Sequence, residues 1–184
     1  MLAGILFLLG FVPYIRAILR KTTKPAKVSW IIWAILDSIT FAGMAVKETL
    51  NGQIIGAVIG VWIVAALALK YGASGWTKLD KFCLGGAVLG VTMWYLFDSP
   101  TLGITVSNGI IFLGAFPTFA SAWRDPSGED KAAWTIYWLS CVASVLAIPA
   151  WTLADAMQPL TFFVIESVVM YLLFVQPKIS HKYP

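Results

Sequence analysis

The sequence predicts an all-α membrane protein with seven transmembrane helices. Of its 184 residues, 59% are hydrophobic and 12% are charged, and the charges cluster between long uncharged runs. Soluble globular domains usually carry about 25% charged residues. A transmembrane helix needs about 20 mainly apolar residues, and the uncharged runs are close to that length.

The charged residues delimit seven runs that we interpret as membrane spans. In chain order they are 2–19, 28–46, 49–69, 82–97, 99–123, 132–154 and 156–177. The fourth run is the shortest, so this helix either barely spans the membrane or is extended by its flanks. The first run has no basic segment before it and no clear cleavage site, so we interpret it as a retained helix rather than a signal peptide.

The basic residues predict the orientation. With the N-terminus outside, twelve of the 13 lysines and arginines fall on the inner side, and Lys47 alone falls outside. This asymmetry follows the positive-inside rule, and it places the C-terminus inside. The basic residues lie at helix ends and form no separate basic domain, so membrane lipid is the expected charged partner and nucleic acid is not.

The chain repeats itself with a spacing of 104 residues. The shift places Gly10 on Gly114, Pro13 on Pro117, Arg20 on Arg124, Lys27 on Lys131, Trp30 on Trp134, Ile32 on Ile136 and Trp33 on Tyr137. Spans one, two and three map onto spans five, six and seven, and span four has no counterpart. We therefore predict two parallel three-helix bundles, in residues 1–70 and 99–184, joined by a linker helix within 71–98.

This organisation resembles the SWEET and PQ-loop transporter superfamily. The resemblance rests on the three-plus-one-plus-three spans, the outside N-terminus, the prolines Pro13 and Pro117 and the aromatic start of each second helix, and it covers about residues 2–177. It implies alternating access of a small solute to the two sides of a membrane.

The motifs of that superfamily are present in altered form. Where PQ-loop proteins carry Pro-Gln, this chain has Pro-Tyr, with Tyr14, and Pro-Thr, with Thr118. The third helices of the two triplets lack the asparagine of sugar-transporting SWEETs and offer Trp62 and Glu166. The resemblance therefore implies an architecture and leaves the solute open.

Two carboxylates lie at the centres of predicted spans. Asp37 has nine residues on each side within 28–46, and Glu166 lies at the centre of 156–177. A charge at the bilayer centre costs about 2.5–3.5 kcal/mol on insertion scales, so both side chains should face the bundle interior. They are candidates for solute binding and proton coupling. The alternative is a protonated acid hydrogen-bonded between helices.

Matching stripes of aromatic and polar residues predict two walls of a solute pocket. At spacings of three and four, one helix carries Trp30, Trp33, Asp37, Thr40 and Met44, and its repeat partner carries Trp134, Tyr137, Cys141 and Ser144. Residues at these spacings share one helix face. The solute-binding candidates are Trp33, Asp37, Asn108, Tyr137, Trp138, Cys141 and Glu166.

Several of these candidates have a second interpretation. Trp30 and Trp134 are either gate residues or anchors at the membrane interface, because each follows a lysine by three residues. Asn108 could bind solute or bond between helices. Cys141 could be a small apolar packing residue, and Trp138, which follows Tyr137 on the helix, could face either lipid or the pocket. Pro13 and Pro117 are candidate hinges, since a proline removes a helix hydrogen bond, and Pro149 is predicted to kink span six.

The function predicted is a non-enzymatic secondary transporter or facilitator of a sugar, amine, amino acid or vitamin. No His/Cys cluster or phosphate-binding motif appears, so no metal or cofactor is expected. The alternatives are a membrane isomerase or cyclase that uses Asp37 and Glu166 as acids in an aromatic cavity, and a ligand-binding receptor. A monomer suffices and an oligomer stays open. The expected location is a prokaryotic inner membrane, with a eukaryotic endomembrane as the alternative.

Overall fold

The computed structural model describes residues 1–73 and 99–177 continuously, and isolated positions between those ranges. The described elements are α1 (Leu2–Leu19), α2 (Lys27–Val46), α3 (Gly52–Tyr71), α4 (Pro100–Gly114), α5 (Phe116–Arg124), a 3-10 turn (Pro126–Gly128), α6 (Lys131–Leu146) and α7 (Leu153–Phe174). The described residues contain no strand, as predicted. The predicted linker helix at 82–97, with Cys83, lies outside the continuously described ranges.

Among the described residues, five helical segments are long and apolar enough to cross a membrane. They are Leu2–Leu19, Lys27–Val46, Gly52–Tyr71, Pro100–Arg124 and Leu153–Phe174, with mean hydropathies between 1.5 and 2.2. These segments mark a multi-pass integral membrane protein, which is the class expected from the composition.

Polar side chains fix the starts of four helices. Asn51, Ser99, Asp130 and Thr152 each stand just before a helix, and each side chain accepts a hydrogen bond from a backbone N–H in the first turn. Such caps satisfy donors that the helix itself leaves unpaired. The caps explain why α3, α4, α6 and α7 begin where they do.

The predicted span 132–154 is wrong at its C-terminal end. Helix α6 ends at Leu146 after 16 residues, and Pro149 lies in the connection to α7. A proline lacks the backbone N–H and clashes with the preceding helical turn. The chain therefore leaves the helix before Pro149 instead of kinking there, and α7 begins at Leu153, earlier than predicted.

The two prolines of the repeat have different local structures. Helix α1 continues through Pro13 to Leu19. The fifth predicted span, 99–123, is divided at Ala115, and Pro117 stands in the first turn of α5. A proline is well tolerated in a first turn, because its missing N–H has no helical partner there.

The helices pack in a ring whose order is the same in both repeats. Helix α3 lies between α1 and α2, and α7 lies between α4 and α6. Contacts of α1 with α6 and of α2 with α4 close the ring. Each of these two closing contacts joins a helix of residues 1–70, here called the first half, to a helix of residues 99–184, the second half.

Contacts at the two interfaces between the halves, α1–α6 and α2–α4, also follow the 104-residue shift. Between α2 and α4, Trp33 donates from Nε1 to the carbonyl oxygen of Ile111 at 3.1 Å. Between α1 and α6, the rings of Tyr137 and Phe7 lie 4.9 Å apart. Because Trp33 aligns with Tyr137 and Phe7 aligns with Ile111, the duplicated sequence forms two related interfaces around one centre.

A central cavity between two polar closures

A small cavity lies at the centre of the helix ring. Its volume is about 30 Å³, which is room for roughly one or two water molecules. Helices α1, α2, α3, α4, α6 and α7 all contribute to its wall. The lining residues are Phe7, Phe11, Trp30, Trp33, Asp37, Val61, Ile111, Trp134, Tyr137, Phe162, Ile165 and Glu166. All of them are buried.

Both carboxylates that the sequence predicts at mid-membrane line this cavity. Asp37 is 2% exposed and Glu166 is 6% exposed. Asp37 Oδ1, Glu166 Oε2 and the Tyr137 hydroxyl are buried and have no hydrogen-bond partner among the described residues. Buried polar atoms in proteins are nearly always paired, because an unpaired one costs about 1–3 kcal/mol. Three unpaired oxygens on one cavity wall therefore mark it as a place to bind a polar group.

Aromatic rings form most of the remaining wall. The Trp30 and Trp33 rings meet edge to face with centroids 5.2 Å apart, and Trp134 and Tyr137 meet in the same way at 5.8 Å. Phe11 also packs edge-on against Tyr137 at 5.1 Å. These geometries lock the rings against one another. The rings of the aromatic wall are thus tightly packed against one another.

The structure brings together four of the predicted solute-binding residues, namely Trp33, Asp37, Tyr137 and Glu166. Trp30 and Trp134 also line the cavity, and they are only 3% and 1% exposed. An interfacial anchor must reach the lipid headgroups, so this burial rules out the anchor interpretation of both tryptophans.

Three other predicted solute-binding residues do not reach the cavity. Asn108 is buried and donates to Ile104 O at 2.8 Å and Thr40 Oγ1 at 3.5 Å, so it bonds locally and between helices. Trp138 donates to Ser167 Oγ at 3.0 Å on a different face of α6. Their hydrogen bonds are made within the protein, away from the central wall.

Cys141 lies one turn beyond Tyr137 on the same face of α6, but it is packed instead of lining the cavity. It is fully buried, and its Sγ accepts a hydrogen bond from Gln53 Nε2 at 3.2 Å. The shared helix face was thus predicted correctly, while the position of the cavity along that face depends on how the neighbouring helices pack.

A buried glutamate closes one end of the molecule, which we call the basic end. This end comprises the α1–α2 connection, the end of α3 and the α5–α6 connection. Oε2 of Glu129 accepts hydrogen bonds from the Tyr14 hydroxyl at 3.0 Å and from Trp134 Nε1 at 2.9 Å. The backbone N–H of Lys24 also donates to the carbonyl oxygen of Gly128 at 3.3 Å, which joins the α1–α2 connection to the α5–α6 connection. The Tyr14–Glu129 bond ties the first half to the second.

The environment of Glu129 changes its proton affinity. Burial raises the pKa of this carboxyl from 4.5 to about 7, although the hydrogen bonds from Trp134 and Tyr14 favour the charged form. The side chain is 5% exposed, and Oε1 has no partner among the described residues. Glu129 therefore titrates near neutral pH while it holds the basic end closed.

Amide side chains close the opposite end, which comprises the N-terminus and the α2–α3 and α6–α7 connections. Asn51 Nδ2 donates to Gln158 Oε1 at 2.8 Å, and Gln158 Nε2 donates to Gln53 Oε1 at 3.1 Å. Gln53 Nε2 in turn donates to Ser140 Oγ at 3.2 Å, and Ser140 Oγ donates to Ala3 O at 2.7 Å. The network again joins the two halves.

An outer depression adjoins this amide network. Its volume is about 540 Å³, and its lining includes Met1, Glu48, Asn51, Ser144 and Asp155. The central cavity is thus separated from this wide depression by the amide network and the packed residues around it.

Among the closure residues, Trp134 was a candidate gate residue, whereas Glu129, Asn51, Gln53 and Gln158 were not predicted. Glu129 stands in a charged connection whose sequence is typical of a solvent-exposed turn, and nothing local signals its burial. Gln53 and Gln158 did leave a signal, because each is a polar residue within an otherwise apolar run. Such residues usually need a partner inside the bundle.

Comparison of the chain with protein families, with curated proteins and with solved structures finds no match. The described residues also contain no group of three His, Cys, Asp or Glu side chains able to hold a metal ion.

Proposed function

We propose that this chain is a secondary transporter or facilitator of a small polar solute, with the central cavity as the solute site. One observation carries the proposal: the cavity lies between two polar closures, and each closure joins the first half to the second. A solute in the cavity could leave towards one end if the halves separated there and remained joined at the other.

The strength of the closures suits such an exchange. Each closure depends on a few hydrogen bonds, and a hydrogen bond contributes about 0.5–1.5 kcal/mol net. Water can replace the partners of Glu129 or of Gln53 when an end opens. These hydrogen bonds therefore contribute only a few kcal/mol to the cost of opening one end, which is the range that separates the states of proteins with two conformations.

The repeated packing order supports two moving units. Within each half, the third helix packs between the other two, and the halves meet through the α1–α6 and α2–α4 interfaces. Duplicated bundles of this kind are how many transporters build a central site with two gates. The resemblance to SWEET and PQ-loop transporters points the same way, and the positive-inside rule assigns the basic end to the cytoplasm.

The cavity must widen to accept a solute. Pockets for small molecules usually have volumes of about 300–1,000 Å³, compared with about 30 Å³ here. We therefore infer that the arrangement described here is a closed one. On opening, Trp33 and Tyr137 would flank the solute, and Asp37 and Glu166 would bind its polar groups or carry a coupled proton.

Solute flux into proteoliposomes tests the proposal. A panel of sugars, amines, amino acids and vitamins would be offered with and without an imposed pH gradient. We expect Asp37→Asn and Glu166→Gln each to lower the flux of the transported class by about tenfold or more, because a hydrogen bond to a charged group contributes about 1.5–3 kcal/mol. Asp125→Asn is the matched control, since Asp125 is exposed on the α5–α6 connection.

The outcomes separate the candidate functions. Flux that the two cavity variants abolish and the control keeps would support transport, and accumulation driven by the pH gradient would add proton coupling. No flux of any class through protein shown to be folded would contradict transport. The aromatic cavity with two acids would then favour the isomerase or cyclase.

A further inference from the structure

We infer that the solute bound in the central cavity is a small organic cation of the alkylammonium class. The inference rests on the proposed transport function and adds the chemical class of the solute. Two buried carboxyl groups, an aromatic wall and a lining without basic side chains carry it.

The charges around the cavity have one sign. Asp37 and Glu166 both line it, and the other lining residues include no lysine, arginine or histidine. Neither acid has an ion-pair partner among the described residues, and each has a buried oxygen that accepts no hydrogen bond. A buried carboxylate is strongly unfavourable unless it is paired. A single bound cation would neutralise the site if one acid is ionised and the other keeps its proton.

The aromatic wall suits the same ligand. Seven rings line the cavity, from Phe7, Phe11, Trp30, Trp33, Trp134, Tyr137 and Phe162. A cation is attracted to the faces of such rings, and tryptophan is the most favourable partner. Alkyl groups on the cation would bury their apolar surface against the rings. A charged and partly apolar solute therefore matches both components of the wall.

The lining fits zwitterionic solutes less well. An amino acid brings a carboxylate, and the lining has no basic side chain to receive it. A solute with a positive head and no anionic group avoids this problem.

The size of the cavity favours a compact head group. With a closed volume of about 30 Å³, a large solute would require a large separation of the two halves. A head group with a few methyl substituents requires the least widening. Such a head group can also contact several rings at once, as in aromatic cages for quaternary ammonium.

A pair of isosteric probes tests the charge directly. Choline carries a permanent positive charge, and 3,3-dimethylbutan-1-ol has nearly the same shape without the charge. Binding of radiolabelled choline to the intact purified protein would be measured, with the neutral alcohol as competitor. We expect choline to bind about tenfold tighter or more than the alcohol, and Asp37→Asn and Glu166→Gln to remove most of this preference. Asp125→Asn should keep it.

The comparison of the two probes uses the unmodified protein, so it does not depend on whether a variant folds. Equal affinity for both probes, or no choline binding, would overturn the cation assignment. Choline counterflow in proteoliposomes separates this failure from that of the proposed function. If a sugar or another neutral solute is transported in a way that depends on Asp37, and choline is not, only the cation assignment is overturned. No flux of any solute would overturn both.

Discussion

Glu129 joins two functions at a single residue, because it bridges the halves of the chain and titrates near neutral pH. It accepts from Tyr14 of α1 and from Trp134 of α6, and burial raises its pKa from 4.5 to about 7. In an open or unfolded arrangement, water would return its pKa to the ordinary value. When the basic end closes at a pH between 4.5 and about 7, Glu129 should therefore take up a proton.

The stability of the protein should fall as pH rises through this range. Below about pH 4.5 the carboxyl is neutral in both the folded and the unfolded state, so burying it has no ionisation cost. As pH rises to about 7, the unfolded state ionises first, and the folded state becomes less stable by about 3 kcal/mol. Thermal unfolding in detergent should show this decline in the wild type and a flatter pH dependence in Glu129→Gln. If the stability of the two proteins fell equally with pH, the assignment of the raised pKa to Glu129 would be contradicted.

The residues of the site differ in how readily the sequence predicts them. Asp37 and Glu166 could be found because a charge in the middle of an apolar run has to face inward. Glu129 could not, since its burial depends on Tyr14, which is 115 residues away in sequence. Cys141 was assigned to the pocket from its helix face, and the neighbouring helices place the cavity elsewhere along that face. Helix geometry left the direction of Trp138 open, and its indole N–H donates to Ser167 Oγ instead.

At the scale of elements, helix ends were harder to predict than helix existence. Charges delimit the runs well, so 2–19 agrees with Leu2–Leu19 and 28–46 is close to Lys27–Val46. A hydropathy pattern carries no information on backbone geometry. It therefore did not predict the end of α6 before Pro149 or the break at Ala115. Both follow from proline sterics and from local capping.

Close packing of α1 against α3 depends on glycine. A β-carbon added at Gly4 would lie 2.6 Å from the carbonyl carbon of Gly52, and one added at Gly56 would lie 2.8 Å from the carbonyl oxygen of Gly4. Real β-carbons do not approach backbone atoms so closely. The small residues thus allow the two backbones to approach, as in other membrane helix pairs.

Gly4→Ala should therefore lower the stability of the fold. The methyl group meets backbone atoms of Gly52 that cannot move alone, so we expect a loss of about 1–3 kcal/mol. Gly109→Ala is the matched control, because nothing lies within 4 Å of a β-carbon at that position in α4. It should be neutral or stabilising by up to about 1 kcal/mol, since alanine favours helix over glycine. Thermal unfolding in detergent would show both effects, and a Gly4→Ala protein as stable as wild type would contradict the close packing.

At the scale of the whole molecule, the duplicated sequence produces one shared centre. The repeat predicts which interfaces should be equivalent, and the contacts of Trp33 with Ile111 and of Tyr137 with Phe7 follow it. The closures do not follow the repeat, because Glu129 aligns with Pro25 under the 104-residue shift. The two ends therefore differ in chemistry: one depends on an acid near its pKa and the other on neutral amides.

Accessibility of the cavity from each side tests the two-closure account most directly. A cysteine would replace Val61, which lines the cavity, in a protein with Cys83→Ala and Cys141→Ala. The thiol of Val61→Cys would be reversibly blocked while further cysteine pairs are joined by a flexible bifunctional thiol reagent. It would then be unblocked for labelling. One pair replaces Tyr14 and Glu129, and the other replaces Asn51 and Gln158. Ser38 and Trp62, whose side chains bond at 3.0 Å within the first half, provide the control pair.

The labelling rate of Val61→Cys by a membrane-impermeant maleimide would then be measured from each side of the membrane. We expect the link at the basic end to block labelling from that side and leave labelling from the opposite side. The Asn51–Gln158 link should do the reverse, and the Ser38–Trp62 link should block neither. A cavity cysteine that is protected from both sides, with or without any link, would contradict alternating access.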